Sequence, residues 1–185
     1  MTVLKYSQSG PYSSDRFDYN FTLLPSKREL LRNQLVQEFS VVQEENGFRT
    51  SPYEVRNILP VDANDIKSHP ILCVLVREEE WEFNDSNRTV LSSFIKCQVW
   101  GYYADVQGSG GLNVYAAESA GEPLIDDMKR VLSRLLLKNV NTTGFRWLVS
   151  LNPRPRITGP MYYQANKGAV FLTFTVKIIY QSVDL

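Results

Sequence analysis

Histidine, cysteine and a phosphate-binding glycine loop are what this chain has least of, and each shortage excludes a class of chemistry. It has a single histidine, His69, in 185 residues. A zinc site has no second imidazole or paired cysteines to draw on, and a nucleophile–base constellation has no spare base. Ser68 beside His69 cannot serve as its nucleophile, because adjacent residues of an extended loop point apart; His69 reads as a surface residue. The two cysteines, Cys73 and Cys97, both fall in expected strands. They read as buried free thiols of a cytosolic protein, a disulfide requiring that their strands pair in register. Gly108-Ser109-Gly110-Gly111 lacks the Gly-Lys-Ser/Thr ending of a phosphate loop, and no helix is expected to follow it at once, so it reads as linker.

Two further absences bear on location and partners. No run of 18 apolar residues occurs, and the first twenty residues lack the basic and apolar halves of a signal peptide; a soluble, non-secreted chain without a membrane partner is expected. An excess of either charge is also missing. Twenty basic and twenty acidic residues cancel, which argues against a chain that chiefly neutralises nucleic-acid phosphates, though a local basic patch stays open. The 43% hydrophobic content still provides for an ordinary core.

Residues 1–25 are rich in Ser, Tyr, Asp and Asn, show neither the helical nor the strand period, and read as an extended N-terminal arm with Tyr12 and Phe17 among its anchors. Ser26-Lys27-Arg28-Glu29 is a capping box, and Leu30, Leu31, Leu35, Phe39 and Val42 recur at helical spacing; a helix is expected over 27–45, stopped by Asn46-Gly47. Phe48 to Leu59, with Pro52, suits an edge strand. Ile71 to Val76 is apolar on both faces, and Arg88 to Tyr103 alternates, with Val90, Ser92, Phe94, Lys96, Gln98 and Trp100 on one face. These two make a hairpin whose turn region is expected at 78–87. An exposed flexible insertion is expected at 104–121. Pro123 then opens a second helix with the stripe Leu124, Ile125, Met128, Val131, Leu132 and Leu135, complemented by Asp126 and Asp127 near its start and Lys138 near its end. A short strand at 147–151, a loop at 152–161 and a last strand at about 168–180 complete the order. The fold class is therefore α/β (α+β): a single mixed, largely antiparallel sheet with two main helices packed on it in one domain, 26–185, behind the arm.

Three clusters invite a functional reading. Glu78-Glu79-Glu80-Trp81-Glu82 suggests a paired-acid hydrolase, but strand alternation puts Glu78, Glu80 and Glu82 on one exposed face with no apolar pocket to raise a carboxyl pKa. Trp81 and Phe83 on the same hairpin are candidate interface anchors, as is Trp100. Arg154 and Arg156 flank Pro155 and precede Tyr162, a set that suits nucleic-acid phosphates and protein contacts equally.

The helix with Leu30-Leu31 and Leu35, the segment Asn46-Gly47-Phe48-Arg49-Thr50, the strand led by Pro70, the strand ending Val99-Trp100-Gly101-Tyr102-Tyr103, the helix from Leu124 to Leu137 and the terminal Phe171–Tyr180 strand together resemble the tail terminator proteins of tailed bacteriophages. The resemblance is one of element order and apolar pattern over about residues 27–182. It implies a virion protein assembled in the host cytoplasm, a homo-hexameric ring that caps the tail tube, stops its polymerisation and joins tail to head. Partners it implies are further copies of itself, the tail tube protein, a neck or head-closure protein and a tail sheath where one exists, with genomic DNA only passing through the lumen. No catalytic residue, cofactor or metal follows from it. A head-closure or tail-completion subunit is the alternative within the virion, and a small nucleic-acid-binding module the alternative outside it.

Overall fold

The structure, a computed structural model, describes residues 26–60, 62, 65–66, 70–83, 90–104, 114–137, 140–142, 145–162 and 167–179. The expected arm with Tyr12 and Phe17, the pair Ser68 and His69, the glycine stretch at 107–111 and Lys138 lie outside them. Two helices, α1 (Lys27–Ser40) and α2 (Val114–Leu137), accompany strands β1 (Glu54–Arg56), β2 (Ile71–Phe83), β3 (Val90–Ala104), β4 (Val140–Thr142), β5 (Phe145–Ser150), β6 (Arg156–Tyr162) and β7 (Lys167–Ile179). The strands form one mixed, largely antiparallel sheet in the order β1-β2-β3-β7-β5-β4, and β6 also pairs with β7. The expected α+β architecture is therefore present. Only β1 runs parallel to its neighbour, pairing Glu54–Arg56 with Ile71–Cys73.

Helix α1 begins where the capping box predicts, with the Glu29 N–H donating to Ser26 Oγ at 3.1 Å. It ends earlier than 45. After Ser40 the β-branched pair Val41-Val42 gives way to extended Gln43, and a short 3-10 turn, Glu44–Asn46, carries the chain to Gly47 at φ 81°. The Asn46 amide donates to the Val41 carbonyl at 3.0 Å, so a helix-end acceptor is satisfied from outside the helix. Leu31, Leu35 and Phe39 are fully buried, each worth roughly 1.5–3 kcal/mol on leaving water.

Helix α2 corrects two expectations. It starts at Val114, nine residues before Pro123, so the second half of the expected insertion is helical and the proline lies inside the helix. A mid-helix proline costs about 3 kcal/mol because it removes one N–H and crowds the preceding turn. The turn before it is closely packed: Gly121 sits so close to Tyr103 and Pro160 that a Cβ at 121 would lie 2.7 Å from the tyrosine oxygen. Asp126 and Asp127 are consequently mid-helix rather than dipole partners at its start. Asp126 meets the Arg49 guanidinium at 2.7 Å. Asp127 is fully buried and accepts from Arg49 N–H at 3.0 Å and from the Thr50 N–H and hydroxyl, each at 2.8 Å. Thus α2 holds the turn that follows α1.

Both helices cover the same sheet face. The main core joins Leu31, Leu35 and Phe39 of α1 and Leu124, Met128, Val131 and Leu135 of α2 to Leu72, Val74, Ile95, Cys97, Val99, Trp147, Leu172, Phe174 and Val176. The Trp147 indole N–H donates to Gln34 Oε1, which satisfies the one polar atom of a fully buried ring. Along β7, Gly168 faces Tyr103, whose ring fills the space a side chain at 168 would need.

Replacing Asp127 by Ala leaves two backbone N–H groups and a hydroxyl without their acceptor and is expected to cost about 3 kcal/mol. Asp126→Ala removes only exposed ion pairs, to Arg49 and Lys129, and should cost no more than about 0.5 kcal/mol. Urea unfolding midpoints of the two variants test this, and equal shifts would reject the buried carboxylate as the joint between α1 and α2.

Candidate interaction surface

Alternation along β3 and β7 divides their side chains between two faces. Odd-numbered β3 residues Ile95, Cys97 and Val99 and even-numbered β7 residues Leu172, Phe174 and Val176 lie under the helices. The partners Phe94↔Lys177, Lys96↔Thr175, Gln98↔Thr173 and Trp100↔Phe171 therefore turn to the other face. A smaller apolar cluster closes one end of that face, where Ile66, Ile71, Cys73, Tyr102 and Ala169 pack with Trp100 and Met161. Trp100 stacks on Phe171 at 4.6 Å and on Tyr102 at 6.0 Å, and its indole N–H donates to Gln98 Oε1 at 3.3 Å. Its ring is half-buried on this face.

Beyond this cluster the face opens into a groove of about 580 Å³. Glu78 and Glu80 of β2 form one wall, Arg154, Arg156 and Pro153 the opposite one, and Phe94, Lys96, Thr173 and Thr175 the floor. Two expectations are corrected by the strands that build it. The acidic run is the continuation of β2, which runs to Phe83 instead of entering a turn at Glu78. The supposed loop at 152–161 becomes β6 from Arg156 onward, with Arg156 opposite Thr173 and Tyr162 opposite Gly168 on β7. Pairing with β7 thus brings Arg156 onto the face already occupied by the β2 carboxylates. Thr173, Thr175 and Lys177 were missed as part of this surface, although the polar residues at every second position of the last strand carry the signal.

A register shift between Val76 and Glu79 marks a bulge in β2. There the Arg28 guanidinium of α1 donates to the Val76 carbonyl at 2.9 Å and to the Arg77 carbonyl. Lys96 meets Glu78 at 3.5 Å. Glu82 accepts from Ser92 Oγ at 2.7 Å and Lys177 Nζ at 3.3 Å, and Lys177 also lies 5.0 Å from the Phe94 ring centre. The Ser92 hydrogen bond, then the Lys177 hydrogen bond and charge, hold the Glu82 carboxyl below its ordinary range. It stays ionised at neutral pH and is unsuited to donate a proton. Trp81 and Phe83 are 46% and 53% exposed on the same strand.

The thiols lie on opposite faces: Cys97 belongs to the helix-covered core and Cys73 to the smaller cluster. No disulfide can join them across the sheet. Burial raises both pKa values, Cys97 far above the ordinary thiol range and Cys73 against the opposing pull of Arg56. Among the described residues no three His, Cys, Asp or Glu side chains gather as a metal site, and no helix is long and apolar enough to cross a membrane.

No protein-family model matches the chain, and no curated protein matches its sequence.

Both thiols are expected to resist iodoacetamide in the native protein at pH 8 and to take up two adducts by mass once urea unfolds it; native labelling would contradict their burial. The sign of the linked pH effect follows. The unfolded thiols ionise near about pH 8.5 while the folded ones keep their protons, so stability holds below that pH and falls as pH rises above it.

Proposed function

We propose that this chain is a terminator subunit of a bacteriophage tail, a structural virion protein whose ring caps the tail tube, stops its growth and offers a docking face to the head. One observation carries the reading: a sheet with both helices on one face and, on the other, a polar groove whose walls have opposite charge. Such a surface suits a subunit that meets other proteins. The order of elements agrees with the resemblance over the helix, hairpin, helix and closing strand. A nucleic-acid module is the poorer fit, because Glu78 and Glu80 face Arg154 and Arg156 across the groove and would repel a polyanion seated there. As the acting subunit of a terminator, the chain itself performs no chemistry; its work is to present side chains at fixed spacing around a ring.

Mass in solution across a concentration series, with negative-stain images of the same fractions, tests the reading. A six-fold ring with a central hole is expected. A monomer at every concentration that added tail tubes fail to capture would overturn it. The double variant Trp81→Ala/Phe83→Ala is expected to keep the wild-type circular dichroism spectrum and to lower ring yield at least tenfold. Undiminished rings would remove this strand from the contacts.

A further inference from the structure

Opposite edges of the sheet carry opposite charge. On one side β1 covers β2 only as far as Cys73, which leaves the distal half of β2, Arg77-Glu78-Glu79-Glu80-Trp81-Glu82-Phe83, as an edge among the described strands. Its formal charge is minus three, four glutamates against one arginine. On the other side, among the described strands β6 pairs only with β7, and it follows the segment Leu151-Asn152-Pro153-Arg154-Pro155. That edge has two arginines and no acid from Leu151 to Tyr162.

Part of this charge is spent inside the molecule, Glu78 on Lys96 and Glu82 on Lys177, and part is not. Arg154 and Arg156 are exposed and make no hydrogen bond or ion pair among the described residues, and Glu80 is in the same state. Three strand spacings, about 14 Å or more, separate the glutamate wall from the arginine wall, too far for direct contact. An apolar residue accompanies the charges on each edge: Trp81 and Phe83 with the acids, and Leu151, 66% exposed, with the arginines. Apolar anchors inside a charged rim are the composition of protein interfaces.

We infer that the occupant of each edge is a second copy of this chain: the acidic edge strand of one subunit docks on the Arg154–Arg156 edge of the next, with Glu78 and Glu80 opposite the two arginines. The inference rests on the ring reading above and names its subunit contact. Because the two surfaces differ, the contact is head-to-tail, which closes into a ring when its rotation divides the full turn. Side chains make it. The bulge, the Arg28 cap on two carbonyls and the row of glutamates blunt backbone pairing at β2.

Charge reversal with cross-rescue tests the pairing. Glu78→Lys/Glu80→Lys and Arg154→Glu/Arg156→Glu are each expected to fold, judged by circular dichroism and melting temperature, and to assemble at least tenfold more weakly than wild type. An equimolar mixture should recover rings in which the two variants alternate, since each then meets opposite charge on both sides. Added salt should weaken wild-type association. If wild type forms rings and each variant forms them equally well alone, the pairing is wrong and the ring reading stands. If both variants fold, fail alone and fail when mixed, these edges do not face one another and the pairing is again wrong. Wild type that remains monomeric at all concentrations, with and without tail tubes, removes both.

Discussion

The continuous antiparallel register of β3 on β7, from Ser92↔Ile179 to Ala104↔Lys167, is the constraint on which the rest of the molecule depends. Side chains alternate with a period of two, so this register decides which residues meet the helices and which form the groove. A slip of β7 by one residue would put Thr173, Thr175 and Lys177 beneath α1 and α2 and turn Leu172 and Phe174 to water, and a slip of β3 would do the same to Lys96 and Cys97. Burying either lysine without a partner is far costlier than any local gain from a shifted turn. Tyr103 pins the arrangement further. Its ring occupies the space above Gly168 and reaches Gly121 of α2, so strand register and helix position are fixed by one side chain.

A second joint links the helices to each other. Helix α1 ends in a turn of poor helix formers, closed locally by Asn46 on the Val41 carbonyl and by the Glu44 N–H on Ser51 Oγ. Asp127, fully buried in α2, supplies the acceptors for Arg49 and Thr50, while Arg130 donates to the Gly47 carbonyl at 2.8 Å. A buried carboxylate is tolerable because backbone N–H groups converge on it. The result is a helix layer that acts as one unit on one face, leaving the other face free for polar side chains.

What the sequence made legible was local. The capping box at Ser26, the alternation of β3, and the stripe Leu124–Leu135 each lie within a single element, and each appears where the pattern puts it. The missed pieces depended on distant partners. The start of α2 was hidden because small residues and Pro123 resemble a loop until Tyr103 and Pro160 pack against Gly121. Strand β6 was hidden because Pro160 and Gly159, at φ 111°, sit inside it, and such residues are admitted only in an edge strand or at an irregularity. The groove depended on β6 and on the continuation of β2. Arg156 and Glu80 are 76 positions apart in sequence, and only the pairing of β6 with β7 and of β2 with β3 places them on the same face.

The same edge irregularities bear on why assembly would close instead of running on. A long regular edge strand adds further strands by backbone hydrogen bonding, with no geometric limit on their number. Both edges here are interrupted. At β2 the bulge turns two carbonyls toward Arg28, and at β6 a register shift between Thr158 and Met161 accompanies a proline that has no N–H to give. Contacts between such edges must be made by glutamates, arginines and a few apolar anchors, whose positions fix the angle between neighbours. A fixed rotation between unlike surfaces closes when it divides the full turn. The features that make β2 and β6 poor strands are therefore the ones that oppose open-ended addition of strands at these edges.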